Sequence, residues 1–285
     1  MITLLEWLRP WEPSLPVFLA CVLAAGLYVV GMMRGAKPGF WPALSYFLGI
    51  GLIYVVTQTH YDYYSQYLFA AHRLQHLILH HLGPFLIALA MPTAVLAAAL
   101  PASWRTLPQG VMAPFFGVLG SIYRVLQQPF IAGFLFVGLV YFWLTPDIHF
   151  DAMLSLDLYW FMNWTMAVDG LLFWWLIFER GGKGITPRLS PGRRIMVLAA
   201  IMPPQIVLGA YITFSGQNLF EIYDVCGRAF PIDPMLDQQI GGLITWIPAA
   251  MMSVVAAVIV LAFRLDQDER AEDGRTDVTL EKANG

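Results

Sequence analysis

Ala71-His72-Arg73-Leu74-Gln75-His76-Leu77-Ile78-Leu79-His80-His81 carries four of the six histidines in the chain. His72, His76 and His80 are four residues apart. On an α-helix each such step turns about 40° and rises about 6 Å, so the three imidazoles form one stripe. The residues that follow, Leu82 to Met91, are almost wholly apolar. The stripe therefore enters a membrane at one end of a spanning helix, where ionisable side chains are costly and default to a functional reading. His81 lies nine residues beyond His72, about half a turn around an ideal helix, and is expected to point away as a structural residue.

The remaining composition agrees with a membrane setting. The 285 residues are 58% hydrophobic and only 12% charged, against about 25% charged in soluble domains. Arg and Lys are scattered between apolar segments, which speaks against nucleic acid as a partner. Two cysteines, Cys21 and Cys226, allow at most one disulfide and no cysteine-rich metal site. The start of the chain shows no cleavable leader pattern, so the first apolar run is expected to stay as an anchor.

Apolar runs near the spanning length of about 20 residues occur at about 14–33, 40–58, 66–90, 128–144, 158–178, 195–214 and 238–263. The fold expected is all-α: a polytopic membrane helix bundle of seven transmembrane helices in one membrane domain, 1–264. The stretch 91–127 is too broken by Pro and Gly to span and reads as an interfacial or re-entrant piece. Pro203 and Pro204 are expected to break the sixth span. Residues 265–285 read as a disordered tail.

Alternate loops differ in basic charge. One set holds Arg34, Lys37, Arg105, Arg124, Arg180, Lys183, Arg188, Arg193, Arg194 and Arg264; the other holds Arg9 and Arg228. By the positive-inside rule the first set is cytoplasmic, with the N-terminus outside and the C-terminus in the cytoplasm. His72 and His76 then lie in the outer half of span three. His60, ending span two, and His149, between spans four and five, are also outside, which in a bacterium is the periplasmic face.

Two histidines four apart on a helix can offer both imidazoles to one metal ion. Imidazole suits copper, zinc, iron and nickel, and thioether suits Cu(I). On span five Met162, Met166 and Asp169 share one face, the two methionines at a depth similar to the stripe and Asp169 deeper, near mid-membrane, with Asn163 beside them. Copper, as Cu(I), is the metal this His-plus-Met set suggests. The candidate ligands are His72, His76, His60, His149, Met162, Met166, Asp169 and His80. Asp169 serves equally well as a support that holds a histidine tautomer. Structural alternatives stand beside each: methionine fills gaps in helical cores, and a membrane histidine is often simply hydrogen-bonded. Asp237, entering span seven, is expected to cap that helix. Gly241 and Gly242 behind it allow close helix approach.

The runs Ala71-His72-x-x-Gln75-His76 leading to Gly83-Pro84, Gly170-Leu171-Leu172-Phe173-Trp174-Trp175, and Asp237-Gln238-Gln239-Ile240-Gly241-Gly242-Leu243-Ile244-Thr245-Trp246-Ile247-Pro248 resemble the multi-spanning cytochrome c oxidase assembly factors of the CtaG type, associated with caa3-type oxidase. The resemblance covers about residues 40–263. It implies a bacterial inner-membrane protein that helps deliver copper to, or mature, a haem-copper oxidase. The implied partners are an oxidase subunit or a periplasmic copper chaperone. His72 and His76 match the family's histidine pair; Asp237 and Gln238 match its span-seven motif and read as support, as does Asn163. Many members carry a histidine on span five where this chain has Met162-Asn163-Trp164-Thr165-Met166, a departure compatible with Cu(I).

Two other functions compete. A b-type haem protein would need axial ligands from two helices, and two histidines on one helix serve that poorly. A copper permease or copper-resistance protein would need a polar route through both leaflets, for which Asp169, Gln205 and Tyr211 are the inner residues on offer. No nucleophile with a neighbouring base and no carboxylate pair suggests an enzyme.

Overall fold

The computed structural model describes the backbone of residues 10–101, 113–179 and 189–284, and the side chains of 10–101, 117–179 and 189–265. Arg9, Arg105, Arg180, Lys183 and Arg188, on which part of the charge asymmetry rests, lie outside the described residues. Every regular element described is helical. In chain order these are α1 Leu15–Met33, α2 Phe40–Gln58, α3 Tyr61–Tyr67, α4 Phe69–His76, a π-helical turn Leu77–Leu82, and α5 Gly83–Leu89. There follow α6 Thr93–Ala99, α7 Ala113–Leu126, α8 Pro129–Trp143, α9 Pro146–Leu154, α10 Leu156–Phe178, α11 Pro191–Phe214, α12 Ile222–Val225 and α13 Pro234–Asn284.

Among the described residues five helices are long and apolar enough to cross a membrane: α1, α2, α10, α11 and α13 as far as Leu265. Two bent pairs raise the number to seven if each counts as one span. Phe69–Leu89 meets α6 at 76°, and Gly117–Leu126 meets α8 at 74°. α8 alone is 15 residues, or about 22 Å, short of the roughly 30 Å hydrocarbon core. The outer surface is apolar where spans meet lipid, with Met33, Phe40, Trp41, Phe130 and Phe214 all well exposed. The chain is a multi-pass membrane protein.

Several boundaries differ from the sequence reading for local reasons. Span three starts at Phe69, not at 66, because Leu68 is extended at φ −145° and ψ 127° and separates α3 from α4. Span six starts at Pro191, where Ser190 accepts the Arg193 N–H and proline fits the first helical turn. That helix runs through Pro203 and Pro204 unbroken. Neighbouring helices and side chains can re-satisfy the backbone groups a proline frees. Arg194 turns back to donate to the carbonyls of Leu189, Ile177 and Glu179, so a buried cation closes the C-terminus of α10. The helical backbone of α13 continues to Asn284, through the stretch expected to be a disordered tail.

The π-helical turn decides where the lower histidines face. Pro84 has no N–H for the His80 carbonyl. The ladder widens instead: the Gly83 N–H donates to Ile78, five residues back. Each residue in this wider turn advances through a smaller angle than in an α-helix. His81 therefore does not point away from the bundle, as an ideal helix predicts. It is buried against Phe136 and His80.

α10 packs along the π-helical turn and α5, and α13 packs against α11 and α4. One apolar cluster, built on Phe85, Phe136, Phe173, Trp174 and Phe178, fills the bundle below the histidines. A second, with Phe69, Trp143, Tyr159, Met162, Met166 and Tyr223, surrounds the upper ones. Cys21 and Cys226 are both free.

Candidate functional site

The histidine helix begins on a carboxylate from the far end of the chain. The N–H groups of Phe69 and Ala70 donate to Asp237 Oδ2 and Oδ1 at 3.0 and 2.9 Å. Helix α4 has no capping side chain of its own, and its free N–H groups and dipole favour an anion at this point. Arg228 pairs with the same carboxylate. Asp237 thus does not cap its own helix, as the sequence suggests. Asp233 does that, accepting the Leu236 N–H at 3.0 Å. Gly241, one turn on, lets α13 close on α4: a Cβ there would sit 2.3 Å from the Phe69 ring. Gln238 holds the preceding loop, accepting from Leu219 N at 2.7 Å and donating to the carbonyls of Gln217 and Ile212.

His72 and His76 are buried side by side, their ring centroids 4.3 Å apart. His149, on the short helix α9, meets His72 edge-on at 5.0 Å. Both nitrogens of His149 are engaged. Its Nδ1–H donates to the Trp143 carbonyl at 3.0 Å, so Nε2 is the acceptor of the Tyr223 hydroxyl, also at 3.0 Å. Burial pushes the pKa of His149 down to about 3, against the opposing pull of the Trp143 carbonyl. It is a neutral imidazole. His76 donates Nε2–H to Asn163 Oδ1 at 3.1 Å, which leaves Nδ1 with a lone pair and no partner. No hydrogen bond within 3.5 Å reaches either ring nitrogen of His72, although the Ser65 backbone lies close by.

Below this pair runs a directed chain of hydrogen bonds. Gln205 Nε2 donates to His81 Nε2 at 3.4 Å, His81 Nδ1 to His80 Nδ1 at 3.2 Å, and His80 Nε2 to Asp169 Oδ2 at 3.0 Å. One tautomer of each ring satisfies all three bonds. Between the two levels lies a small cavity of about 10 Å³, room for one water. Arg73, His76, His80, Met166, Gln205 and Thr245 contribute to its wall. Arg73 is buried, bonds Thr245 Oγ1 at 3.0 Å and forms no ion pair among the described residues.

The expected pairing of spans three and five is present, through His76–Asn163 and His80–Asp169. Met162 and Met166 are fully buried; Met166 shares the small cavity with His76, while Met162 sits in the aromatic cluster. His60 stands apart, its half-buried ring boxed by Trp11, Tyr63 and Tyr64. Among the described residues no three His, Cys, Asp or Glu side chains are spaced to hold a metal ion. The histidines come as a pair with a third ring adjoining.

One polar centre escaped the sequence reading. Asp62, fully buried on α3 outside the spans, accepts from the Tyr159 hydroxyl at 2.6 Å, Gln75 Nε2 at 2.8 Å and Gln66 Nε2 at 3.0 Å. Gln75 sits inside the motif Ala71-His72-x-x-Gln75-His76, and its non-histidine polar position was the available signal. Burial raises the Asp62 pKa from 3.8 to about 6, outweighing the three hydrogen bonds that lower it. The folded value lies above the unfolded one, so its stabilising contribution is complete below about pH 4 and is lost as pH rises through 6. The infrared band of a protonated carboxyl should disappear with a midpoint near pH 6 and be missing in Asp62→Asn. The melting temperature should fall from pH 4 to pH 7 more in the parent than in that variant.

A sequence profile described as cytochrome c oxidase caa3 assembly factor matches residues 26–265. The chain is 28% identical to an uncharacterized protein of Mycobacterium leprae (strain TN), over 91% of this chain and 40% of that protein. It is 27% identical to uncharacterized proteins of Mycobacterium bovis and Mycobacterium tuberculosis, over 90% of this chain and 39% of each. The chain thus spans about two fifths of the length of these curated relatives. No solved structure matches it. The profile takes in the histidine helix, its Asp237 cap, the Asn163–Asp169 face and the glycine contacts that bring them together, and on that match the chain belongs to the cytochrome c oxidase caa3 assembly factor family.

Proposed function

We propose that this chain binds copper, as Cu(I), at the His72–His76 pair and passes it to a haem-copper oxidase subunit or exchanges it with a periplasmic copper chaperone. In this reading the pair faces the periplasmic side of a bacterial inner membrane, with the N-terminus outside and the C-terminus in the cytoplasm. The role is binding and transfer, with no catalysed reaction.

The observation that carries the reading is the state of three ring nitrogens. His72 Nδ1, His72 Nε2 and His76 Nδ1 are buried with no hydrogen bond within 3.5 Å. A buried polar atom left unpaired costs about 1–3 kcal/mol, and such atoms in a native fold call for a ligand, ion or water. Two neutral imidazoles with lone pairs on adjacent turns suit a d¹⁰ copper ion, and the thioether of Met166 borders the same cavity as His76. Asn163 fixes the His76 tautomer with Nδ1 free, the usual work of a residue behind a metal ligand. His149 adjoins His72 but is held by Tyr223 and Trp143, so it joins the metal only when Tyr223 lets go. That supplies a route between a two-nitrogen and a three-nitrogen site, which a protein that must release its cargo needs. His80 and Asp169, bonded to each other, support the helix below. His60 is too far into its aromatic box to belong to the same centre.

A haem between His72 and His149 fits this geometry poorly, because the two rings already touch and leave no slot for a porphyrin. The test is the double change His72→Ala, His76→Ala. The purified parent protein is expected to hold copper stoichiometrically, with nitrogen and sulfur scatterers in its X-ray absorption. The double variant is expected to lose it. Unchanged copper content in the folded variant would overturn the assignment.

A further inference from the structure

Arg73 sits on α4 between the two histidine levels and is only 4% exposed. Its Nε donates to Thr245 Oγ1 at 3.0 Å, and that hydroxyl donates its own proton to the Gly241 carbonyl. The two terminal amino groups of the guanidinium have no hydrogen-bond partner among the described residues. The buried carboxylates around it are taken by other groups. Asp237 is held by Arg228 and the start of α4, and Asp169 by His80. No carboxylate borders the cavity of about 10 Å³ whose wall includes Arg73, His76, His80, His81 and Met166. The positive charge acts instead on the rings of His72, His76, His80, His81 and His149. A buried cation without a counter-charge is strongly destabilising.

We propose that this cavity binds one monatomic anion, chloride being the abundant biological case, against the Arg73 guanidinium. The charge selects an anion. A water in the same place would accept from the amino groups but leave the cation uncompensated. The size selects a single atom, since the space holds one particle of about the size of water. Sulfate, phosphate and carboxylates carry too many heavy atoms to enter. A halide is a little larger than water, and Met166 on the wall is unbranched and can give way. Guanidinium is weakly hydrated and makes strong charge-assisted bonds, so it pairs well with a weakly hydrated anion in a dry site. The anion also screens the guanidinium from the five imidazoles, which on the copper reading eases the arrival of a second cation. The site itself stands on Arg73 and the cavity, independently of that reading.

The test uses the full chain in detergent, stripped of metal by chelation and brought into gluconate, an anion too large for the cavity. Equilibrium dialysis against radioactive chloride, at constant ionic strength, is expected to saturate at one ion per chain in the parent protein. Bromide should compete and sulfate should not. The melting temperature of the parent should rise with chloride under the same conditions. Arg73→Met exchanges the buried charge for an apolar side chain of similar reach, a change that buried sites often tolerate. It should bind no chloride and melt independently of it. Val137→Phe leaves Arg73 in place and fills the cavity from a half-buried position on its wall; it too should lose the ion. Absence of saturable chloride binding in the parent overturns the proposal, whatever the variants do. So does binding of equal affinity in the parent, Arg73→Met and Val137→Phe, or equal competition by sulfate. Because no copper is present, a negative result here leaves the His72–His76 assignment standing.

Discussion

Replacing Asp237 by Ala should lower the melting temperature by roughly 10 °C and release the histidine helix at its first turn. The carboxylate is fully buried and holds three donors: the N–H groups of Phe69 and Ala70 and the guanidinium of Arg228. Its removal leaves two helical N–H groups without an acceptor and Arg228 with Asp224 as its remaining carboxylate partner. Breaking a buried ion pair from one side costs up to about 3–5 kcal/mol, less here because Asp224 still holds Arg228, and loss of a helix cap about 1 kcal/mol more. Hydrogen exchange separates this from general destabilisation. Amides from Phe69 to Arg73 should lose protection before those of α10 or α11. The double change Asp237→Ala, Arg228→Ala should recover little of the loss, because Asp224 still pairs with Arg228 in the single variant. If Asp237→Ala melts like the parent, Asp237 is a surface-like group and not the anchor of α4.

Gly170→Ala should also be damaging, though it adds a single methyl group. A Cβ at Gly170 would lie 2.2 Å from the His80 carbonyl oxygen, and 2.8 and 2.9 Å from the neighbouring backbone atoms of His80. These are backbone atoms in a helix already widened around Pro84, so they cannot swing aside as a side chain would. α10 has to move outward, and the His80–Asp169 bond at 3.0 Å stretches with it. Overpacking of this kind costs about 1–3 kcal/mol. Gly170→Leu should prevent accumulation of folded protein. Gly51→Ala is the control: nothing lies within 4 Å of a Cβ there, so its yield and melting temperature should match the parent. On the copper reading proposed above, Gly170→Ala should bind copper more weakly than the parent even where it folds, because Asn163 rides on the same helix and bonds His76. Equal stability and copper affinity in Gly170→Ala would show that α10 does not need this close approach.

Much of the site could be read from residue spacing. The i, i+4 relation of His72 and His76 makes them neighbours on one face, and depth and chemistry point to the Met162–Asp169 face of span five as the one opposite. His149 and Asp237 were singled out as polar groups at the outer loops. A period of 3.6 does not place His81, because the backbone changes its hydrogen-bond register ahead of Gly83-Pro84. Capping is ordinarily local, whereas the partners of Asp237 are 167 and 168 residues away in sequence. Asp62 and Tyr159 gave no periodic signal at all, since each lies near a helix end where polar residues are common.

The sequence by itself determined that this is an all-helical membrane protein, where most spans lie, and which histidines share a helical face. Those properties depend on hydrophobicity and on neighbours within about four residues, which a linear pattern records. Only the tertiary structure decided how the site is assembled: His149 against His72 under the hold of Tyr223, His76 oriented by Asn163, His81 turned inward, and α4 started by a carboxylate from α13. These are contacts between helices far apart in the chain. They are set by close approach at Gly170 and Gly241 and by the need to satisfy buried donors and acceptors, and no local periodicity encodes either.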